Sequence, residues 1–385
     1  MPFVQAGPDM PQPIIHWHPE AIPRGVDSHI GARLTQLTSV PLLSHSIYCE
    51  ERYCSTDGNR IAFLRSPLGR SPEELWVADV RTGEVAQLSD SISGYPTSNL
   101  YSDNLYFIRP RGDGGKLLVR VNLQSLEMDE IFDLSKCPSW RWSVPSVSPD
   151  DRWFVSNYRV RDEVYGLYRV DLERGTWEAF HEHQDICNPH LQFEPSMGRD
   201  LMVQLNHGCK HDPEGNVIEL CGPRGATLYV IDRDGKNPRY LPVGRPHTPG
   251  VTGHQCWVGD TGKIILTAFE NQIHVVAPGE TKSHCIWKGL MYFGHMSASS
   301  DGKYFLTDNF GGSNKLYIGS FKTNRIIAVL DSRASCGGPQ YTHPHAYLTP
   351  GNKRIVFTSD QTHTPQVWSA ELPDELWPAL DHLPD

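Results

Sequence analysis

The sequence has no Cys-x-x-Cys pair, no apolar run long enough to span a membrane, no basic stripe and no amphipathic helix of useful length. Its nine cysteines are an odd number, scattered from Cys49 to Cys336. That spacing excludes a zinc ribbon and a disulfide framework, and fits reduced thiols in a cytoplasmic protein. A formal net charge of −10 argues against a nucleic-acid-binding surface. It leaves room for an anionic small substrate, because a local group of Arg, His and metal can reverse the potential inside a cleft. Residues 1–8 carry neither a basic segment nor an apolar run, so no secretory signal is expected there. The expectation is a cytoplasmic protein with no nucleic-acid or membrane partner, its oligomeric state left open.

Turn punctuation is abundant instead. The chain of 385 residues carries 33 Gly and 30 Pro spread along its length, with 10 Trp, 15 Tyr and 13 Phe to fill a large core. A turn followed by a β-rich run recurs seven times, as in Ser55-Thr-Asp57-Gly before Ile61-Ala-Phe-Leu64, or Ser300-Asp301-Gly before Tyr304-Phe-Leu306. Asp57, Asp103, Asp150, Met197, Asp260, Asp301 and Gly351 mark these turns. Most intervals are about 40–50 residues, the period of a four-stranded blade. A second alternating run follows each turn, from Glu74–Ala78 to Gln366–Ala370. The pattern predicts an all-β, seven-bladed β-propeller forming one domain over residues 1–385. Residues 1–30 read as an N-terminal extension and residues 206–225 as an insertion loop in blade four. Pairing Ala32–Thr38 with the last blade would close the ring and remove an open sheet edge.

The histidines fall in phase with the repeat. His254, His295 and His345 each precede their turn marker by the same number of residues, and His190 lies one position off that phase in blade four. In a propeller this strand is innermost, so equivalent positions converge on the axis. A channel histidine satisfied by hydrogen bonds is the plain alternative for any one of them. Clustered imidazole and carboxamide groups in a concave site point instead to function. The segment Gln340-Tyr-Thr-His343-Pro-His345 is the densest group. In an extended strand His343 and His345 would share a face, with Pro344 fitting an edge. Imidazole suits Zn, Mn, Fe, Cu or Ni, and the lack of cysteine with oxygen from Gln340 leans toward Mn²⁺. The expected ligands are His295, Gln340, His343 and His345, with His254 at the same level on the next blade as a neutral base.

At these residues the chain resembles the oligogalacturonate lyase family. Gly31-Ala-Arg-Leu-Thr-Gln-Leu-Thr38 is similar to the family's opening strand and Ser44-His45 to the step after it. Asn206-His207-Gly208 with His211-Asp212 looks like another family segment. Thr252-Gly-His254-Gln-Cys-Trp257 resembles the segment carrying the catalytic base, and His295-Met-Ser297 a strand supplying a metal histidine. Gln340-Tyr-Thr-His343-Pro-His345 with Phe357-Thr-Ser-Asp360 resembles the block supplying the other ligands. The resemblance implies a seven-bladed, manganese-dependent polysaccharide lyase acting on acidic oligosaccharides, with His254 as base. The chain departs from the pattern where the family places a catalytic arginine. It has Gly225-Ala226-Thr227 there, with Arg224 just upstream, and Ser46 replaces an arginine after His45.

β-Elimination at a uronate needs the carboxylate neutralised by a divalent metal and a base for the C5 proton, a task suited to neutral histidine. Arg224 is the candidate cation for substrate carboxylate or developing charge. His45, His190, His207 and His211 are candidate substrate contacts. Two alternatives stand beside this reading: a lyase for another uronate-containing glycan, and a non-catalytic glycan-binding propeller.

Overall fold

A computed structural model describes residues 14–69, 72–139, 144–161, 163–249, 252–268, 271–309 and 313–382. Residues 1–8, where no secretory signal is expected, lie outside them. Seven antiparallel sheets of four or five strands, one for each repeat, follow one another along the chain. The turn chemistry explains the repeat. Ser55 Oγ donates to Asp57 Oδ1 at 2.6 Å and accepts from Arg60 N at 2.9 Å. Ser299 does the same with Asp301 and Tyr304, at 2.7 and 2.9 Å, and Ser148 with Asp150 and Trp153. A short polar side chain thus closes each turn on its own backbone.

The second strand of each blade is buried on both faces, which is why it reads as a near-continuous apolar run rather than an alternating one. Tyr304–Asp308 and Ile264–Ala268 are buried at every position. Blade-to-blade packing runs round the whole ring. Blade one packs Phe63 and Val77 with Phe107 of blade two and Val356 of blade seven. Further apolar clusters join blades two and three, three and four, four and five, five and six, and six and seven.

Blade seven is built from both ends of the chain. Arg33–Gln36 pairs with Gln366–Glu371, Leu34 opposite Ala370 and Gln36 opposite Trp368. Ile22–Val26 adds a fifth strand outside it, while Trp17–Pro19 pairs with Glu84–Ile92 at the rim of blade one. The described part of the expected extension therefore supplies outer strands. It is held by ion pairing as much as by pattern: Glu20 and Arg65, both buried, meet at 2.9 Å. Runs this short carry too few alternations to be read from sequence. The blade-four insertion contains a small hairpin, Lys210–His211 with Val217–Glu219. Among the described residues the α-helical segment is Leu376–Asp381. No helix there is long and apolar enough to cross a membrane.

Candidate metal centre

The histidines enter at the starts of the innermost strands. His295 immediately precedes Met296–Ala298, His190 stands just before Gln192–Phe193, and His345 just before Tyr347–Leu348. His254 lies in Thr252–Trp257, where the register slips between Gly253 and Cys256. His190, His254 and His345 share left-handed backbone, with φ of 44°, 49° and 39°. Such a conformation is costly for a residue with a side chain and is kept where surrounding structure fixes it. The same strain at nearly the same repeat position takes three imidazoles off the ladder.

This corrects the extended reading of the densest segment. Gln340–Thr342 is a 3₁₀ turn and the inner strand is only Tyr347–Leu348. Pro344 offers no N–H, and positive φ at His345 ends the pleat, so strand geometry does not align the two rings. They converge all the same, with centroids 5.7 Å apart. His295 packs edge-on to His345 at 4.5 Å and lies 5.5 Å from His343. One nitrogen from each of His295, His343 and His345 falls within 4.8 Å of the others, and all three residues are buried.

Their outer nitrogens are fixed. His295 Nδ1 faces Asp308 Oδ2 at 2.7 Å, and the other carboxylate oxygen accepts from the His295 backbone N–H at 3.0 Å. Nε2 is the nitrogen that would face a metal, the carboxylate–histidine arrangement that orients metal ligands. His343 Nε2–H donates to the Gly337 carbonyl at 2.8 Å, leaving Nδ1 as its lone-pair nitrogen. Gln340 Oε1 stands 3.1 Å from His345 Nε2, within hydrogen-bond distance, which sets an amide oxygen beside the triad. Burial lowers the pKa of His343, and lowers that of His345 well below its usual value, with repulsion from neighbouring histidines adding to the fall. Burial alone would raise Asp308, yet its pairing with His295 holds the carboxyl below its ordinary range. Three imidazoles, a carboxylate behind one of them and an amide oxygen beside another are a donor set that fits a divalent ion.

Asp308→Asn is expected to weaken Mn²⁺ binding by about 10–100-fold. An amide cannot accept from both the ring and the backbone of His295, as the carboxylate does. Isothermal titration with MnCl₂ reads the change.

His254 lies against the group, 4.7 Å from the His295 ring, with Nδ1 2.9 Å from the Tyr48 hydroxyl. Burial first, then repulsion from His295, depresses its pKa to about 3, so it is a neutral imidazole across the physiological range. Tyr48 is the centrepiece that sequence reasoning missed. Its ring packs on His190, His295 and His345 at 5.5, 5.5 and 4.7 Å. Glu50 was missed too; its Oε1 lies 2.6 Å from His190 Nδ1, and this pairing raises the His190 pKa against the opposing effect of burial. A signal existed: counting back from Asp57 by the histidine phase lands on Glu50 and Glu51.

The remaining candidates are engaged elsewhere. His45 faces Glu73 Oε1 at 2.8 Å and the Ser46 carbonyl at 3.1 Å. His190 adds an Asn188 contact at 2.9 Å to its Glu50 partner. His207 lies between Asp185 and Thr227 at 2.9 and 2.8 Å, and His211 faces the Tyr165 hydroxyl at 2.6 Å. Both ring nitrogens of His45, His190 and His207 are thus in contact with protein groups. Arg224, with 70% of its side chain exposed, lies 3.9 Å from Asp185. It follows the strand Asp200–Asn206, at the same end of blade four as His190.

A cavity of about 20 Å³ is lined by Glu50, Glu51, Ser98, Ser146 and Gln192, room for a water rather than a sugar. Glu51 accepts from Ser98 N at 2.7 Å and Thr97 Oγ1 at 3.0 Å, yet burial raises its carboxyl to about 8. The folded chain therefore keeps a proton that the unfolded chain loses above about 4.3. Its stability contribution is full below that value and falls as pH rises toward 8. Glu51→Gln is expected to flatten this slope, so that melting temperatures of variant and wild type diverge between pH 5 and 8 in the variant's favour.

Fold and site define a seven-bladed propeller with a metal-capable histidine centre at one end of its axis. No family model matches the chain. It is 22% identical over 400 residues to an oligogalacturonate lyase of Dickeya dadantii, covering 91% of this chain and 96% of that one. It is 24% identical over 407 residues to an oligogalacturonide lyase of Pectobacterium atrosepticum, with the same coverage. The structure of an oligogalacturonate lyase in complex with manganese superposes with a TM-score of 0.70, at 21% identity over 94% of this chain and 99% of that one. Over nine-tenths of its length the chain is thus similar to these oligogalacturonate lyases.

Proposed function

We propose that this protein is a metal-dependent lyase that cleaves short, oligogalacturonide-like acidic oligosaccharides by β-elimination at a uronate. The observation that carries this reading is the convergence of His295, His343 and His345, buried and backed by Asp308, beside a neutral His254. Similarity along nine-tenths of the chain to two such lyases supports the substrate class. His295 Nε2, His343 Nδ1, an imidazole nitrogen of His345 and Gln340 Oε1 would hold Mn²⁺, the ion named for the manganese-bound neighbour. When bound, a divalent cation supplies Lewis-acid neutralisation of the uronate carboxylate. His254 takes the C5 proton on Nε2, its other nitrogen being turned to Tyr48. Arg224 meets a second carboxylate of the oligosaccharide at the mouth, where its exposed guanidinium can rearrange. His45, His190, His207 and His211 are the candidate contacts for the oligosaccharide in this reading.

The setting is cytoplasmic in this reading, supported by nine cysteines without a disulfide. The departures at Arg224–Thr227 and Ser46 favour one second reading, a lyase for a different uronate.

The test incubates the Mn²⁺-loaded protein with oligogalacturonides and with other oligouronides, and determines product masses. Elimination leaves an unsaturated uronate and adds no water, whereas hydrolysis adds one. Unsaturated product from galacturonides supports the reading, and from another uronide alone it supports the second. Intact oligosaccharides throughout would contradict both.

A further inference from the structure

We propose that Tyr48 is a positioning residue that sets the tautomer of His254 through its hydroxyl. The proposal rests on the reading of His254 as the base. The phenol oxygen lies 2.9 Å from His254 Nδ1, and its ring is wedged against His190, His295 and His345. The oxygen is thus held by packing on several blades, not by its own strand.

The bond has two senses. If the phenol donates, Nδ1 uses its lone pair and the ring proton sits on Nε2, where no substrate proton can then be accepted. If Nδ1–H donates to the phenol oxygen, Nε2 carries the lone pair and is the basic nitrogen. Only the second arrangement gives a base aimed away from Tyr48. Tyr48 therefore accepts from His254, keeps its own proton and stabilises the Nδ1–H form before and after Nε2 is protonated. Misassigned tautomers are costly for histidine bases, which is why such residues carry an orienting partner.

The same geometry argues against Tyr48 as the acid for the leaving group. In a galacturonate ring the C5 hydrogen and the C4 oxygen depart from opposite faces. A hydroxyl bonded to the rear nitrogen of the base is on the base's side of the ring. It moves no proton to the sugar and no bond to it forms or breaks.

Tyr48→Phe keeps the ring that packs the three histidines and removes only the oxygen. The expected result is a fall in kcat of about 10–100-fold, with KM for the oligogalacturonide and Mn²⁺ affinity both within about twofold of wild type. Nitrogen-15 NMR of the Zn²⁺-loaded protein, with histidine labelled, should show His254 as the Nδ1–H form in wild type and a mixture in the variant. Unchanged or higher kcat in Tyr48→Phe would overturn the proposal, as would the Nε2–H form in wild type. A fall in kcat with an equal loss of Mn²⁺ affinity would also overturn it, because the hydroxyl would then act on the metal group. His254→Ala separates the two readings. If that variant retains turnover, the assignment of the base fails; if it is inactive while Tyr48→Phe is normal, only the role of Tyr48 fails.

Discussion

His254→Ala is expected to lower kcat on an oligogalacturonide by about 10²–10⁴-fold, equivalent to roughly 3–5 kcal/mol of transition-state stabilisation. Mn²⁺ should bind as tightly as in wild type, or slightly more so. His254 contributes no donor to the triad, and its removal relieves repulsion among buried imidazoles that already depresses its own pKa and that of His345. KM should change little, since the lost interaction is made with a proton in flight and not with the bound sugar. Turnover near the wild-type value would remove His254 from the role. The pH profile gives a second view. An imidazole with a pKa of about 3 stays competent down through mildly acidic pH, so titration of the base should cost no activity between pH 7 and 5.

His295→Ala is expected to have the other large effect, on metal retention first and activity as a consequence. His295 is the hub of the centre. Its ring touches His254, His343 and His345, and its Nδ1 is held by Asp308. Deleting a ligand should cost more than the about 10–100-fold expected for loss of its support. Activity should fall to background at Mn²⁺ concentrations that saturate the wild type. Stability should fall as well, by about 1–3 kcal/mol. Asp308 is 1% exposed and would be left without the ring that partners it. Metal analysis after dialysis and a thermal melt read the two effects separately. A His295→Ala protein that keeps its metal would show that the triad is not the binding site.

How much of this was legible from the residues differs by level. Blade number was readable because each turn is closed by side chains its own sequence carries, as Ser55 and Asp57 or Ser299 and Asp301 do. The phase of His254, His295 and His345 was readable because blade repeats place equivalent positions at equivalent depths. What pattern could not show is backbone irregularity. A strand would have aligned His343 with His345 by alternation, whereas a 3₁₀ turn and a left-handed residue bring them together instead. Tyr48 and Asp308 were invisible for another reason. One lies between short inner strands of blade one, and the other ends an apolar run in blade six, so only packing shows what they touch. Composition also does not reveal that Asp185 and Thr227 lie against the His207 ring and Glu73 against that of His45.

The most direct measurement strips metal from the protein with chelator, returns Mn²⁺ in steps, and follows the ultraviolet absorbance of unsaturated uronate released from an oligogalacturonide. The expected result is a rate that starts at background and rises to its plateau at about one ion per chain, as a single three-histidine site requires. Full activity in the chelated protein, or no unsaturated product at any Mn²⁺ concentration, would contradict the assignment of these histidines to a metal-dependent lyase.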